Sequence, residues 1–226
     1  MDAARMLYNE VLFPKRKADV SLGTSAEGLR SLKYFNKRSW SKAFLRHKRY
    51  NCAVIDVSVF TTPDAYVATV KGKNSADYFA RRCEKMGYTF QAMDPNTHWQ
   101  SIYDINHSSQ NRQGKTMDAS YLNPLERWPN DEVNRWYGVF DNSHNLVAYL
   151  WSVHMKDLML INRVLGHDDH LKNNIMYFLS VRFVMECVCS KAARYVMYDT
   201  FGRGDNGLAL FKRRIGFQHY RMNFTA

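Results

Sequence analysis

The chain has 226 residues, of which 46% are hydrophobic and 14% aromatic, and it carries a formal net charge of +11. Such a composition can bury a sizeable core, which excludes a globally disordered chain. The longest apolar stretch, residues 175–188, contains Arg182 and Glu186, which favours a buried helix over a membrane span. The four cysteines lack CxxC spacing and the N-terminus lacks an apolar signal core. We therefore expect a cytoplasmic protein with reduced cysteines and no metal.

The positive charge is concentrated in the first fifty residues, which hold twelve Lys/Arg against four Asp/Glu. Residues 29–50 contain eight basic residues and no acid, and their apolar residues are compatible with an amphipathic helix. The basic face is either a solvated surface or a binding surface for a polyanion such as tRNA or DNA. The candidate nucleic-acid-binding residues are Lys33, Lys37, Arg38, Lys42, Arg46 and Arg49.

Residues 51–130 alternate between short predicted elements. We predict strands at 52–61 and 65–70, a helix at 75–86, a strand at 88–93 and a helix at 97–108. Residues 110–130 are polar and predicted to be irregular, and loops of this length are usually functional. Within them, Arg112, Gln113 and Lys115 lie beside a flexible Gly114, and Arg112 and Gln113 are candidates to bind an acidic acceptor group, although a merely solvated loop is the alternative.

The last ninety residues predict a hairpin (136–140 and 145–153) followed by alternating strands and helices. Strands at 158–165, at 195–200 and from 217 are separated by helices at 171–193 and 208–215. This order requires crossover connections and predicts a mostly parallel arrangement. Ligands on such sheets bind where strand ends meet helix starts, because backbone N–H groups there attract anions. A phosphate-bearing donor is therefore the expected ligand.

Residues 136–224 resemble the GNAT acyltransferase superfamily. The segment LALFKRRIGF at 208–217 is similar to the closing helix and strand of GNAT proteins. The segment YDTFG at 198–202 is similar to the Fem-type branch, the peptidoglycan-bridge aminoacyltransferases. RQGKTM at 112–117, with Tyr121, resembles a motif of uncharacterised GNAT-like bacterial proteins. The resemblance implies an α/β (α+β) GNAT-like fold, in which helices flank a mixed central sheet.

The resemblance also implies a division of the chain and an activity. Residues 1–50 would be a basic helical N-terminal extension, residues 51–130 the first part of the fold or a reduced second lobe, and residues 131–226 the GNAT-like catalytic core. The activity would be acyl or aminoacyl transfer from acyl-CoA or aminoacyl-tRNA, forming an amide on an amine. The acceptor could be linked to nucleic acid, including a DNA base. The alternative is a catalytically degenerate GNAT-fold module that binds nucleic acid or a protein partner through its basic face.

Site residues follow from the matched positions. Lys212 stands four residues before Gly216, where acetyltransferases often have a tyrosine, and Phe211–Lys212 resembles the Phe–Lys pair of Fem-type enzymes. The donor loop, residues 164–170, has one glycine and two acids instead of the [QR]xxGx[GA] pattern, and those carboxylates disfavour a pyrophosphate. The candidates are Lys212, Asp199 and His167 for catalysis, Leu165, Gly166, His170, Asn173 and Phe211 for the donor, and Arg112, Gln113 and Tyr121 for the acceptor.

Each catalytic candidate has a structural alternative. Lys212 could be one of three basic residues on a solvated helix face, and Asp199 could cap the loop that follows it. His167 and His170 could belong to a plain helix-capping region, in which Asp168 and Asp169 favour the helix dipole. The sequence does not separate these alternatives from chemical roles.

Overall fold

The structure is a computed structural model that describes residues 16–37, 48–109, 111–112, 115–123, 125–201 and 206–226. The strands are β1 Lys17–Ser21, β2 Cys52–Asp56, β3 Thr89–Ala92, β4 Asn111–Arg112, β5 Lys115–Thr116, β6 Asn134–Phe140, β7 Leu146–Met155, β8 Leu158–Gly166, β9 Tyr195–Thr200 and β10 Gln218–Thr225. The helices are α1 Ala26–Asn36, α2 Pro63–Thr69, α3 Ala76–Lys85, α4 Trp99–His107, α5 Ala119–Leu122, α6 Asp168–Leu171, α7 Ile175–Ser190 and α8 Asn206–Ile215.

Eight strands form one mixed sheet in the order β1-β10-β2-β9-β8-β7-β6-β3. The pairs β8–β9 and β1–β10 are parallel, and the remaining pairs in this sheet are antiparallel. The mixed sheet of a GNAT-like fold is therefore confirmed, whereas the mostly parallel arrangement is wrong. The reason is that β2, from early in the chain, inserts antiparallel between β9 and β10. Residues 1–50, 51–130 and 131–226, the three expected parts of the chain, each contribute at least one strand to this sheet.

Helices cover both faces of the sheet and define its two sides. On one face, which we call the α7 face, α7 packs against α2 and α3 over Ile55, Met159 and Val196. On the opposite face, which we call the α4 face, α1 contributes Phe35, and α4 contributes Ile102 and Ile105. Burying apolar side chains on both faces explains why the central strands read as nearly continuous apolar runs.

Most predicted elements are confirmed, but two assignments are wrong. Residues 65–69 form most of helix α2, with Val70 as its C-cap, and not a strand. The reason is that Thr62 caps the helix by accepting from Ala65 N at 3.2 Å and Pro63 occupies its first turn. The preceding strand ends at Asp56, where a 3₁₀ turn, Val57–Val59, begins. Local capping decides the outcome here, since the β-branched composition alone suits either structure.

The predicted basic helix is shorter within the described residues than residues 29–50. Helix α1 begins after Ser25, whose hydroxyl accepts from Gly28 N, and ends at Asn36. Lys33 and Lys37 are exposed and Arg49 is half-buried, while Arg38, Lys42 and Arg46 lie outside the described residues. Among the described helices, none has the length and apolar character to cross a bilayer.

Candidate active site between strands β8 and β9

Strands β8 and β9 are paired at one end and separated at the other. Their parallel register joins Leu158 to Tyr195, Met159 to Val196 and Leu160 to Met197. Beyond these pairs both strands continue, to Gly166 and Thr200, without further pairing to each other within the described residues. The edge of β8 that faces β9 is therefore open over its second half, where alternate N–H groups point toward the gap.

A bulge in each strand accompanies the separation. Trp151 and Ser152 of β7 pair with Arg163 and Ile161, so that Asn162 is the extra residue in β8. In β9, Met197 pairs with Val54 of β2 and Thr200 pairs with Cys52, so that β9 has one residue more than β2 between these two pairs. Bulges bend a strand and increase its local twist. The two bulges thus provide a physical cause for the divergence of β8 from β9.

A cavity of about 430 Å³ opens at the separated ends. Three predicted donor-binding residues, Leu165, Gly166 and Phe211, line it. The other lining residues, which were not predicted, come from β4, β8, β9 and the helices on the α7 face: Asn111, Val164, Asp168, Leu171, Met176, Tyr198, Gly207 and Leu208. The cavity lies between the donor loop and α8, where a donor was expected.

Lys212 is buried next to this cavity. Its side chain projects from α8, is 2% exposed, and donates from Nζ to the Thr200 carbonyl oxygen at 2.7 Å. Nζ also lies 4.3 Å from the ring centroid of Tyr198, which lines the cavity. Burial lowers the pKa of Lys212 to about 8, while Asp199 raises this pKa and Lys48 lowers it. The alternative in which Lys212 sits on a solvated face is therefore wrong.

Asp199 lies in the β9 bulge with a φ of 50°. Its exposed carboxylate forms an ion pair with the Lys48 ammonium, a contact that the sequence did not indicate. Burial raises the pKa of Tyr198, and the charges of Tyr121 and Asp199 raise it further. Lys212, Tyr198 and Asp199 therefore lie close enough at the end of β9 for charge on Asp199 to raise the pKa of the other two.

In the donor loop, residues 164–170, and the turn that follows it to α7, many backbone N–H groups already donate to acceptors within the protein. His167 N donates to Val147 O at 2.8 Å, and Asp168 N donates to Ser108 Oγ at 3.1 Å. The amides of His170, Asn173 and Asn174 also donate to carbonyl oxygens of the loop. These five donors would have to exchange partners before they could hold a pyrophosphate. Asp168 on the cavity wall opposes such an anion further.

The predicted loop side chains have other contacts. His170 Nδ1 lies 2.8 Å from the Tyr88 hydroxyl, which also accepts from Asn173 Nδ2 at 2.8 Å. His167 precedes α6, and its Nδ1 lies 3.7 Å from Asp169 Oδ2. None of these three predicted residues is among the described residues that line the cavity. His170 and Asn173 instead fasten the loop to Tyr88, just before β3.

The predicted acceptor residues are only partly described. Gln113 lies outside the described residues, and for Arg112 the backbone position in β4 is what the structure describes. Tyr121 is half-buried on the α4 face, with the Arg163 guanidinium carbon 4.6 Å from its ring centroid. Sequence reasoning missed Arg163, although a charge inside the apolar run LMLINRVL was a usable signal. Val164, Met176, Tyr198 and Leu208 were missed because apolar and aromatic residues carry no distinctive pattern.

Comparisons with known proteins support the fold. FemX matches with a TM-score of 0.59 at 10% identity, over 85% of this chain and 65% of that one. The C-terminal domain of a putative lysylphosphatidylglycerol synthetase from Agrobacterium fabrum matches with a TM-score of 0.51 at 13% identity, over 74% and 56%. No protein-family model and no curated protein matches the sequence. The chain thus has a GNAT-like fold and aligns with about half to two thirds of these longer chains.

Proposed function

We propose that the protein is an acyl or aminoacyl transferase that forms an amide on an amine acceptor. The observation that carries the proposal is the gap between β8 and β9, which opens into a cavity beside the buried Lys212. A donor carbonyl in this gap would face the part of the β8 edge that does not pair with the described residues of β9. Amide formation needs such hydrogen-bond donors, because negative charge develops on the carbonyl oxygen.

The chemistry can be assigned to groups at the cavity. The neutral acceptor amine attacks the donor carbonyl carbon, a C–N bond forms, and the bond from carbon to the leaving sulfur or oxygen breaks. The amine loses a proton and the leaving group gains one. With a pKa of about 8, Lys212 is able to hold a proton near neutral pH, and its charge offsets that of the leaving group. Asp199, which pairs with Lys48, raises the pKa of Lys212 and so favours its charged form.

Two observations favour aminoacyl-tRNA over acyl-CoA as the donor. The loop amides that would hold a pyrophosphate already donate to protein acceptors, and Asp168 lines the cavity. Lys33, Lys37 and Arg49 add positive charge to a chain whose excess of basic residues lies mostly in its first fifty positions. A nucleic-acid-linked substrate suits this charge distribution, because phosphate neutralisation dominates such binding.

The test uses both donors and a matched pair of variants. The protein is incubated with acetyl-CoA and, separately, with charged tRNA, and donor binding and mass gain on amine acceptors are measured. Leu208→Trp fills the cavity and should weaken donor binding by about 5- to 150-fold, since an overpacked site costs on the order of 1–3 kcal/mol. Leu210→Trp, on the exposed side of the same helix, is the control and should bind normally.

Two outcomes contradict the proposal. One is equal donor binding by the Leu208 and Leu210 variants, since the cavity would then not hold the donor. The other is binding of DNA or RNA without micromolar binding of either donor, which would identify a non-catalytic module.

A further inference from the structure

Arg163 is a partly buried cation for which the described part of the chain provides no anionic partner. No carboxylate among the described residues lies within 4.0 Å of its guanidinium nitrogens. Its Nη1 atom is inaccessible to solvent and has no hydrogen-bond partner. Buried charged groups in folded proteins are normally paired, because removing a charge from water is costly. The absence of a partner therefore needs an explanation.

Aromatic rings hold the guanidinium in place. Its carbon lies 4.6 Å from the ring centroid of Tyr121, 5.4 Å from that of Trp128 and 5.9 Å from that of Trp151. The nearby Asp118 carboxylate is engaged as a helix cap, accepting from Ser120 N at 2.8 Å. Cation–π contacts fix the plane of a guanidinium without satisfying its N–H groups. Burial raises the pKa of Tyr149, against the smaller lowering by the Arg163 charge and a side-chain hydrogen bond, so that Tyr149 is a neutral neighbour. It leaves Nη1 without a hydrogen-bond partner among the described residues.

The β8 bulge determines which face of the sheet Arg163 occupies. Ile161 packs on the α7 face, and strict alternation would place Arg163 on that same face. The extra residue Asn162 turns Arg163 to the α4 face instead. The donor cavity is built largely from helices on the α7 face, so Arg163 lies across the β8–β9 gap from the donor.

We propose that Arg163 binds an oxyanion, a carboxylate or a phosphate, carried by the amine acceptor. The inference rests on the proposed function, since it defines the acceptor as a molecule that bears both an amine and an acidic group. The acceptor would enter from the α4 face, with its oxyanion on the guanidinium fork and its amine in the gap. An arginine suits this role because its fork binds carboxylate or phosphate bidentately.

The test measures ion binding without any donor. Trp128 and Trp151 flank the guanidinium, so their fluorescence reports on it during titration with sodium acetate or inorganic phosphate, with chloride holding the ionic strength constant. We expect a saturable change with at least one of the two ions. The ion that binds more tightly indicates whether the acceptor carries a carboxylate or a phosphate.

Variants assign the response to Arg163. Arg163→Met should raise the apparent dissociation constant about 30-fold or more, as loss of one partner from a charged pair does. Arg194→Met is the matched control, because Arg194 also stacks on an aromatic ring, that of Tyr195, but pairs with Asp56. Arg163→Lys keeps the charge without the fork and should bind more weakly than wild type. If Arg163→Met fails to fold, the comparison of ion binding between wild type and Arg163→Lys tests the role of Arg163 by itself.

The outcomes separate this inference from the proposed function. Absence of a saturable change below about 100 mM of either ion, or equal binding by wild type and the Arg163 variants, overturns the oxyanion site. If the ions fail to bind to a protein that still transfers acyl groups, the oxyanion site alone is refuted. If the ions bind and neither donor gives a mass gain, the oxyanion site stands and the transfer activity is refuted.

Discussion

The two edges of strand β8 are used in opposite ways. Along β7, eight register pairs run from Met155–Leu158 to Ala148–Gly166, whereas along β9 there are three. The β7 edge belongs to a hairpin, whose register is fixed by a short local turn. The β9 edge is formed only after the chain returns through α7, and the bulges end the pairing early. One edge of the strand therefore provides stability, and the other provides an opening.

The largest expected effect is a loss of turnover in Lys212→Met, a variant in α8 beside the β8 edge that faces β9. Methionine keeps an unbranched chain without the charge, and turnover should fall by about 100- to 10,000-fold, the usual worth of a positioned proton donor or acceptor. The melting temperature should stay equal or rise, because a buried, desolvated cation is removed. Steady-state kinetics and thermal melts check this. A parallel loss of both quantities would indicate that Lys212 only holds α8 onto β9.

The variant to compare with it is Leu150→Ala, on the edge of β8 that pairs with β7 along its length. Leu150 is fully buried in β7 and pairs with Val164 of β8. The substitution should lower the free energy of unfolding by about 2–5 kcal/mol through the lost side chain and the cavity it leaves. Donor affinity, measured well below the melting temperature, should change less than threefold. A large loss of affinity with little loss of stability would contradict the division between the two edges.

The smallest effect is a pH dependence of the free energy of unfolding, caused by the titration of Lys212. The pKa of Lys212 is about 8 in the folded protein, against about 10.4 for an unperturbed lysine. Between these values the unfolded chain binds more protons than the folded one. The free energy of unfolding should therefore rise with pH, by up to about 1.4 kcal/mol per pH unit.

Subtracting the pH profile of Lys212→Met isolates this contribution, because the other titrating groups are common to both proteins. Denaturant melts between pH 7 and pH 10 supply the two profiles. A difference between wild type and variant that does not change with pH would mean that Lys212 titrates at an ordinary value and is solvated in solution.

Local sequence signals predicted a good part of the candidate site. The run at 158–165, the break at Gly166 and the apolar helix after it placed Leu165 and Gly166 at a strand end, where they line the cavity. Phe211 came from the resemblance. The assignment of residues 65–70 as a strand is wrong, since the capping hydroxyl of Thr62 and the fixed φ of Pro63 favour a helix. Helix signals at the first turn outweighed the alternation after it.

The sequence alone determined the hairpin, the α7 helix and the order of elements that identifies a GNAT-like fold, because periodicity and turn residues act over neighbouring positions. The tertiary structure decided that β2 enters between β9 and β10, that Lys212 is buried and that Arg163 faces away from the donor cavity. These features depend on register and bulges between strands far apart in the chain. A shift of a single residue there moves a side chain to the other face of the sheet.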